Sequence, residues 1–184
     1  MPNKPEILHT QTVAQSRLFQ IEQLELRFAN GTEVQYERLV GSTNGAVLIV
    51  PMLDSETVLL VREYAAGVDR YELSLPKGRI EDSEEILPAA NREIMEEIGY
   101  AARNLTQLTS LTVAPGYLSA ITHVVLAQDL YPEKREGDEP EALEVVEWKL
   151  SDLSSLLLHP ECTEARTIAA LFMTRDLFLG GESL

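Results

Sequence analysis

Hydrophobic and polar residues alternate along the first part of the chain, which is the pattern of half-buried β-strands. The alternating runs 17–28 and 32–40 stand on either side of Asn30-Gly31, and Asn-Gly between such runs is a strong hairpin signal. The alternation changes phase near Gln23, so we expect a β-bulge there. Residues 1–16 are polar and contain two prolines, and we expect them to be loosely held.

Later segments have the length and apolar character of further β-strands, several of them buried. They are residues 44–52, 56–64, 71–76, 104–113, 119–130 and 142–150. Residues 41–45 are expected to form a linker, and Asp54-Ser55 a turn. The charged residues 132–141 are too polar to pack and are expected to form a loop.

Helical patterns occupy three segments, residues 83–98, 151–159 and 163–181. We expect Ser83 to cap the first helix, with Glu84 and Glu85 in the first turn, where carboxylates interact favourably with the helix dipole. Gly99 is a suitable C-terminal stop for that helix, and Ser151 is the expected cap of the second. Strands before and after one acidic helix predict a mixed α/β (α+β) domain at residues 45–184, preceded by a small β-region at residues 1–44.

Charge and composition narrow the classes of partner. The 184 residues include 30 acidic and 15 basic residues, for a formal net charge of −15. We therefore expect no nucleic acid and no anionic membrane as partner, because phosphate groups require clustered Lys and Arg. We find no apolar run of membrane-spanning length and no apolar signal segment at the N-terminus. Cys162 is the only cysteine, which excludes an internal disulfide and favours a reducing compartment, so we expect a cytoplasmic protein.

Carboxylates crowd the end of the first predicted helix. Successive helical residues are about 100° apart, so Glu93, Glu96 and Glu97 lie on one side of the helix. Like charges at this spacing repel each other unless a cation neutralises them. Mg²⁺ binds carboxylate oxygens and keeps other positions for water or phosphate. The pattern is therefore either a solvated acidic face or a metal platform that holds a pyrophosphate.

The whole segment from Gly78 to Tyr100 favours the metal platform. Its sequence, GRIEDSEEILPAANREIMEEIGY, resembles the Nudix hydrolase signature G-x5-E-x7-R-E-U-x-E-E-x-G-U, in which U is apolar, and all seven fixed residues match without an insertion. The resemblance implies a Nudix fold, with a mixed β-sheet sandwiched between helices. It also implies hydrolysis of a nucleoside diphosphate linked to another group, with Mg²⁺ or Mn²⁺ as cofactor, two or three ions per site.

The resemblance carries a metal-binding role to particular residues. Glu93 and Glu97 match metal ligands, and Glu96 matches a further or water-bridged ligand close to the reaction. The backbone carbonyl of Lys77 is a common ligand at this position of the fold.

Three further residues of the signature are expected to shape the site. Arg92 would orient the carboxylates, a role that suits its fixed fork of donors. Glu84 would support the site from the start of the helix, and Gly78 would allow close backbone approach.

The flanking sequence resembles the ADP-ribose pyrophosphatase branch of the family. Pro115 lies sixteen residues beyond Gly99, as in that branch, and the N-terminal hairpin resembles its extra β-domain, which implies a homodimer. VREYAAG implies that Arg62 and Glu63 contact the substrate, and YER implies the same for Arg38. The resemblance implies small ADP-linked substrates, namely ADP-ribose, diadenosine polyphosphates such as diadenosine triphosphate, and NADH, each releasing AMP.

Two positions depart from the family pattern. Ser74 stands where many Nudix enzymes have a glutamate, and Glu72, on the same strand face by alternation, is a candidate substitute that could also contact substrate. The hydrolytic base of the branch is usually a glutamate on a loop, and residues 136–144 contain several acidic side chains. By the D-E-x-E pattern we expect Glu139 to be the base and a metal ligand, with Glu141 as the second candidate.

The remaining reactive or aromatic side chains are interpreted as structural. His123 and His159 stand in ordinary strand and helix-end contexts, and Cys162 has no cationic neighbour in sequence, so we expect it to be inert. Trp148 and Tyr71 are large enough to stack on an adenine, but we expect core packing.

Three alternative functions remain open at this point. A nucleotide-sugar pyrophosphatase acting on GDP-sugars has the same signature. A regulator with the Nudix fold would bind ADP-ribose without cleaving it, although such proteins generally have an eroded signature. An acidic interaction module would show no metal-dependent chemistry.

Overall fold

The computed structural model describes residues 3–179, which form two compact units. The first unit contains residues 3–43 together with Thr112–Ile121, and the second contains Asn44–Leu111 and residues 122–179. The chain thus leaves the second unit after Leu111, contributes Thr112–Ile121 to the first unit, and then continues in the second unit. The division into domains at residue 44 remains a prediction.

The first unit is built on an antiparallel sheet of three strands in the order β1-β2-β3. The strands are β1 (Glu6–Gln15), β2 (Gln20–Arg27) and β3 (Glu33–Leu39). The hairpin predicted at Asn30-Gly31 joins β2 to β3, and Gly31 has a φ of 83°, which glycine adopts without steric cost.

Two predictions for this sheet were wrong. Residues 6–15 form a regular strand rather than a loose terminus, because they pair with the whole length of β2. Every side chain of β1 is exposed, so its polar composition carried no sign of the pairing. The register irregularities lie in β1, after Ile7 and after Thr12, and not near Gln23.

The second unit contains seven strands in two sheets. They are β4 (Ala46–Pro51), β5 (Thr57–Ala65), β6 (Arg70–Ser74), β7 (Lys77–Arg79), β8 (Tyr100–Leu111), β9 (Thr122–Pro132) and β10 (Glu144–Lys149). One sheet has the order β10-β5-β6 and the other the order β7-β4-β9-β8. Because β4 pairs parallel with β9 and antiparallel with β7, the second sheet is mixed. The strand β7, three residues long, was not predicted from the sequence.

The helices are α1 (Ile86–Glu97), α2 (Leu153–Leu157) and α3 (Ala165–Leu179), and a single 3₁₀ turn, Leu150–Asp152, precedes α2. Within residues 3–179 no helix has the length and apolar character needed to cross a membrane.

The predicted stop of α1 is confirmed, because Gly99 directly follows the C-cap with a φ of 75°. Ser83 does not cap the helix, since it has a φ of 67° and the N-cap is Glu85. Ser151 lies inside the 3₁₀ turn, and Asp152 is the N-cap of α2.

The core of the second unit lies on both faces of the strand layer. On β4, Leu48 and Val50 pack into a cluster with α2 and α3, whereas Val47 and Ile49 pack with α1 on the opposite face. Strand side chains alternate between faces, so a strand buried on both sides is apolar throughout. The fold is the predicted mixed sheet between helices, and it places the acidic helix α1 on the face opposite α2 and α3.

Two buried threonines of α3 provide a matched test of this packing. Both are fully buried, but the Thr167 hydroxyl accepts a hydrogen bond of 3.1 Å from the Leu75 N–H, whereas the Thr174 hydroxyl has no partner within the described residues. We expect Thr167→Val to lower the free energy of unfolding by about 1–3 kcal/mol, because a buried N–H loses its acceptor. Thr174→Val should be neutral or stabilising. Urea unfolding of both variants measures the difference, and equal losses would contradict the assignment.

Candidate active site

The carboxylates of α1 are buried by the way the helix packs. Ala90 and Ile94 face the core, and this orientation presses the neighbouring Glu93 and Glu97 against β7. Glu93 and Glu97 are each only 8% exposed. A carboxylate at such a position is desolvated and needs a cation or hydrogen-bond donors nearby.

The strand β7 passes directly over these two carboxylates. A Cβ atom on Gly78 would lie 2.0 Å from the Glu93 carboxyl group, so no side chain fits there. The backbone N–H of Lys77 lies 3.3 and 3.4 Å from the two carboxylate oxygens of Glu97. The close approach expected at Gly78 is therefore present.

Arg92 connects three carboxylates of the segment. Its Nε and Nη2 donate to the two oxygens of Glu84 at 3.0 and 2.9 Å. Its Nη1 donates to Glu93 at 2.8 Å and to Glu96 at 3.0 Å. The hydrogen bonds to Arg92 hold the pKa of Glu84 below its usual range. Glu84 also accepts a hydrogen bond from the Glu81 N–H, which explains why residues 81–85 turn outside the helix.

Glu97 is left with little positive charge around it. Burial, together with the charges of Glu93 and Glu63 and against the opposing charge of Lys77, raises the pKa of Glu97 to about 8. Burial also raises the pKa of Glu93. Glu93 therefore shares the charge of Arg92 with Glu84 and Glu96, whereas Glu97 has no ion-pair partner among the described residues and is approached by the backbone N–H of Lys77.

The neighbouring strands β5 and β6 bring a further carboxylate to this place. Glu63 lies opposite Glu72 in the ladder, and the Lys77 ammonium donates to Glu63 at 2.7 Å and to the Ser74 hydroxyl at 3.3 Å. Glu72 is buried and accepts hydrogen bonds from Arg70 and from the Thr163 N–H. Sequence reasoning assigned Glu63 to the substrate and did not identify its pairing with Lys77.

The loop between β9 and β10, residues 133–143, lies over the end of α1. The N–H groups of Glu133 and Arg135 donate to the carbonyls of Gly99 and Met95, at 3.1 and 3.0 Å. The loop and α1 enclose a cavity of about 420 Å³. Acidic residues of both elements line this cavity, namely Glu96, Glu97, Glu136, Glu139 and Glu141.

The two candidate bases differ in their surroundings. Burial, followed by the charges of Glu63 and Asp138, raises the pKa of Glu139. Glu141 instead accepts a hydrogen bond of 2.8 Å from the Tyr71 hydroxyl. The Glu139 carboxyl is thus affected by the charge of Glu63, whereas Glu141 is hydrogen-bonded to Tyr71 of β6.

The other predicted substrate-contacting residues lie in different surroundings. Arg62 donates to Glu161 at 2.9 Å and to Glu144 at 2.5 Å. Arg38 belongs to the first unit, where it pairs with Glu22 at 2.8 Å. Pro115 also belongs to that unit and lies in a turn closed by hydrogen bonds to the Ala114 carbonyl.

The two histidines have structural surroundings. The His123 Nδ1 lies 2.8 Å from the Ser110 hydroxyl, and the His159 Nδ1 accepts a hydrogen bond from the Glu161 N–H at 3.3 Å. Both agree with the structural interpretation.

Of the remaining three side chains, two agree with the structural interpretation and one does not. Cys162 is buried, and its burial raises the pKa of the thiol to about 11, which fits an inert residue. Trp148 packs against the core as expected. Tyr71 is 44% exposed, so its predicted core packing was wrong.

The donor set fits a hard divalent cation. Glu93, Glu97 and the nearby Glu63 and Glu139 supply only oxygen ligands, which Mg²⁺ and Mn²⁺ prefer. Within residues 3–179 no three carboxylate, histidine or cysteine side chains already converge on one point. Arg92 accounts for part of this, since it holds Glu93 and Glu96 through the same nitrogen.

Comparison with known proteins identifies similar sequences along nearly the whole chain. Residues 5–38 match the NudE-type Nudix hydrolase N-terminal domain, and residues 43–172 match the NUDIX domain. The chain is 48% identical to the ADP compounds hydrolase NudE of Escherichia coli (strain K12), over 96% of this chain and 95% of that protein. It is 33% identical to the ADP-ribose pyrophosphatase of Bacillus subtilis (strain 168), over 89% of this chain and 91% of that one.

A solved structure agrees with these sequence matches. The crystal structure of an ADP compounds hydrolase superposes with a TM-score of 0.91 at 46% identity, covering 100% of this chain and 99% of the other. The fold expected from the Gly78–Tyr100 segment is thereby confirmed. The chain belongs to the Nudix hydrolase family.

Proposed function

We propose that the protein hydrolyses the pyrophosphate bond of ADP-linked compounds and releases AMP. The proposed substrates are ADP-ribose, diadenosine polyphosphates such as diadenosine triphosphate, and NADH. The observation that carries this proposal is the buried pair Glu93 and Glu97 pressed against β7 at Gly78, with Glu97 lining a cavity that further carboxylates also line. The names of the two relatives above, an ADP compounds hydrolase and an ADP-ribose pyrophosphatase, support the choice of ADP compounds.

Nudix hydrolases generally need a divalent cation such as Mg²⁺. For this chain we propose two or three Mg²⁺ or Mn²⁺ ions, held by Glu93, Glu97 and the Lys77 carbonyl, with Glu96 and Glu139 as further ligands. When bound, the ions would act as Lewis acids on the phosphate oxygens. Arg92, through the contacts described above, holds Glu84, Glu93 and Glu96 in fixed orientations.

We assign the general base to Glu139. Glu139 lines the same cavity as Glu96 and Glu97, and burial followed by the charge of Glu63 raises its pKa, whereas one oxygen of Glu141 accepts a hydrogen bond from Tyr71; these observations support the assignment. The base takes a proton from the attacking water while the bond from phosphorus to the bridging oxygen breaks. The products are AMP and the phosphate ester of the other half of the substrate, which is ribose 5-phosphate when the substrate is ADP-ribose.

The roles of the remaining residues are proposals of the same standing. Arg62, Glu63 and Glu72 would contact the substrate from β5 and β6, and Arg38 and Pro115 from the first unit. We further propose a cytoplasmic homodimer formed through the N-terminal β-region, because a small sheet with an exposed face needs a surface to pack against.

A parallel assay of substrates tests the function. We expect rapid AMP release from ADP-ribose, diadenosine triphosphate or NADH with Mg²⁺ or Mn²⁺, and at least a 100-fold loss in Glu97→Gln, because a metal ligand is removed. Glu85→Gln, which changes an exposed carboxylate of the same segment, serves as the matched control and should keep full activity. Cleavage of GDP-mannose alone would move the function to nucleotide sugars. Tight binding of ADP-ribose without turnover would indicate a regulator.

Kinetics of two loop variants test the assignment of the base. Loss of a general base typically lowers kcat by about 10²–10⁴-fold, and we expect this in Glu139→Gln with little change in KM. Glu141→Gln should lose much less, because it removes a hydrogen bond rather than the base. The acidic limb of the kcat profile against pH should disappear only in Glu139→Gln. A deeper loss in Glu141→Gln would assign the base to Glu141.

Thermal melting without metal tests the electrostatics of Glu97. Its pKa is about 8 in the folded protein and close to 4.5 in the unfolded chain, so the folded state binds more protons between these values. In EDTA we therefore expect the melting temperature to fall as the pH rises from 5 to 8. The melting temperature of Glu97→Gln should fall less over the same pH range. Adding Mg²⁺ at pH 8 should raise the melting temperature of the wild-type protein more than that of the variant. Parallel curves for both proteins would contradict the assignment.

A further inference from the structure

The Lys77 side chain occupies a central position among the carboxylates of the second unit. Its ammonium lies 2.7 Å from Glu63 and 3.3 Å from the Ser74 hydroxyl, and the Lys77 and Glu63 side chains are only 27% and 32% exposed. The backbone N–H of the same residue points to Glu97. One residue of β7 therefore contacts carboxylates with both its backbone and its side chain.

Arg92 and Lys77 contact different carboxylates of the site. Arg92 is committed to Glu84, Glu93 and Glu96. Lys77 instead contacts two carboxylates that Arg92 does not: its ammonium pairs with Glu63, and its backbone N–H faces Glu97.

The electrostatic effects of Lys77 support this division. After burial, which is the largest effect on each, the charge of Lys77 lowers the pKa of Glu97 and of Glu139, whereas the charge of Glu63 raises both. Glu63, Glu97 and Glu139 thus lie within electrostatic reach of one ammonium.

We propose that the Lys77 ammonium is a built-in counter-cation that keeps Glu63 out of the divalent-cation site. It holds the Glu63 carboxylate by a direct ion pair and supplies one positive charge that would otherwise come from a metal ion. The proposal rests on the proposed metal dependence. It concerns the side chain of Lys77, whereas the metal-ligand role proposed above belongs to the backbone carbonyl of that residue. Lys77 thereby limits how many ions bind and how tightly.

The physical reason is the high local density of negative charge. Removing the ammonium leaves Glu63 unpaired and partly buried next to Glu97, and a hard divalent cation is the species that neutralises two such carboxylates. An ordinary ion pair at the surface contributes little and influences no neighbour. If Lys77 were only such a pair, its loss would leave metal binding unchanged.

Titration of Mn²⁺ into the full-length protein without substrate tests the proposal, with free Mn²⁺ followed by electron paramagnetic resonance. We expect Lys77→Met to bind one additional Mn²⁺ per chain, or to bind its tightest ion at least tenfold more tightly than wild type. Lys77→Arg should behave as wild type, because the charge is kept. The double variant Lys77→Met with Glu63→Gln should return to the wild-type isotherm, since the released carboxylate is gone.

Lys149→Met is the matched control, because Lys149 also lies near two carboxylates, Asp54 and Glu56, at 3.9 Å each, but outside the site. Circular dichroism verifies the fold of each variant. Because the double variant carries the same Lys77→Met change, its isotherm separates the effect of Glu63 from any general destabilisation. Isotherms of Lys77→Met and wild type that agree within twofold would overturn the proposal, as would an extra ion that persists in the double variant. No Mn²⁺ binding by wild type would overturn the proposed function as well.

Discussion

The arrangement of the second unit depends on two carboxylates that are buried without an equal amount of positive charge. Glu93 and Glu97 are drawn against β7 because Ala90 and Ile94, on the same helix, pack into the core. An unpaired buried charge is strongly unfavourable, so this helix face is acceptable only if its neighbours accommodate it. The surrounding residues can be understood as parts of that accommodation.

Each neighbour accommodates the charge in a different way. Gly78 removes steric bulk, since a Cβ atom would overlap the Glu93 carboxyl group. Arg92 spreads one positive charge over three carboxylates, and Ser83 adopts a φ of 67° in the turn that brings Glu84 to Arg92. A serine in this conformation is uncommon. The helix start is thus organised by the site and not by the usual capping rule, which is why the cap predicted at Ser83 was wrong.

Much of the fold and of the carboxylate cluster could be predicted because both follow from local patterns. Apolar runs located β4, β5 and β9, Asn30-Gly31 located the hairpin, and the spacing from Gly78 to Gly99 located the site. What could not be predicted depends on partners distant in sequence. The strand β1 has only exposed side chains and is held by its backbone pairing to β2. The pairing of Lys77 with Glu63 and of Tyr71 with Glu141 depends on how β5, β6 and the loop come together.

The loop at residues 133–143 contributes carboxylates to the site that are attached differently from those of α1. Helix α1 and strand β7 fix Glu93 and Glu97 through core packing, so these carboxylates cannot withdraw from a bound cation. Both Glu139 and Glu141 lie on a segment whose backbone is hydrogen-bonded to α1 and Gly99 at Glu133 and Arg135, and the Glu141 side chain also accepts a hydrogen bond from Tyr71. A ligand group must remain in place, whereas a base must approach and release a water molecule with each turnover. The attachment of Glu93 and Glu97 to a packed helix, and of Glu139 to a loop, therefore matches the roles of metal ligand and base that we assign to them.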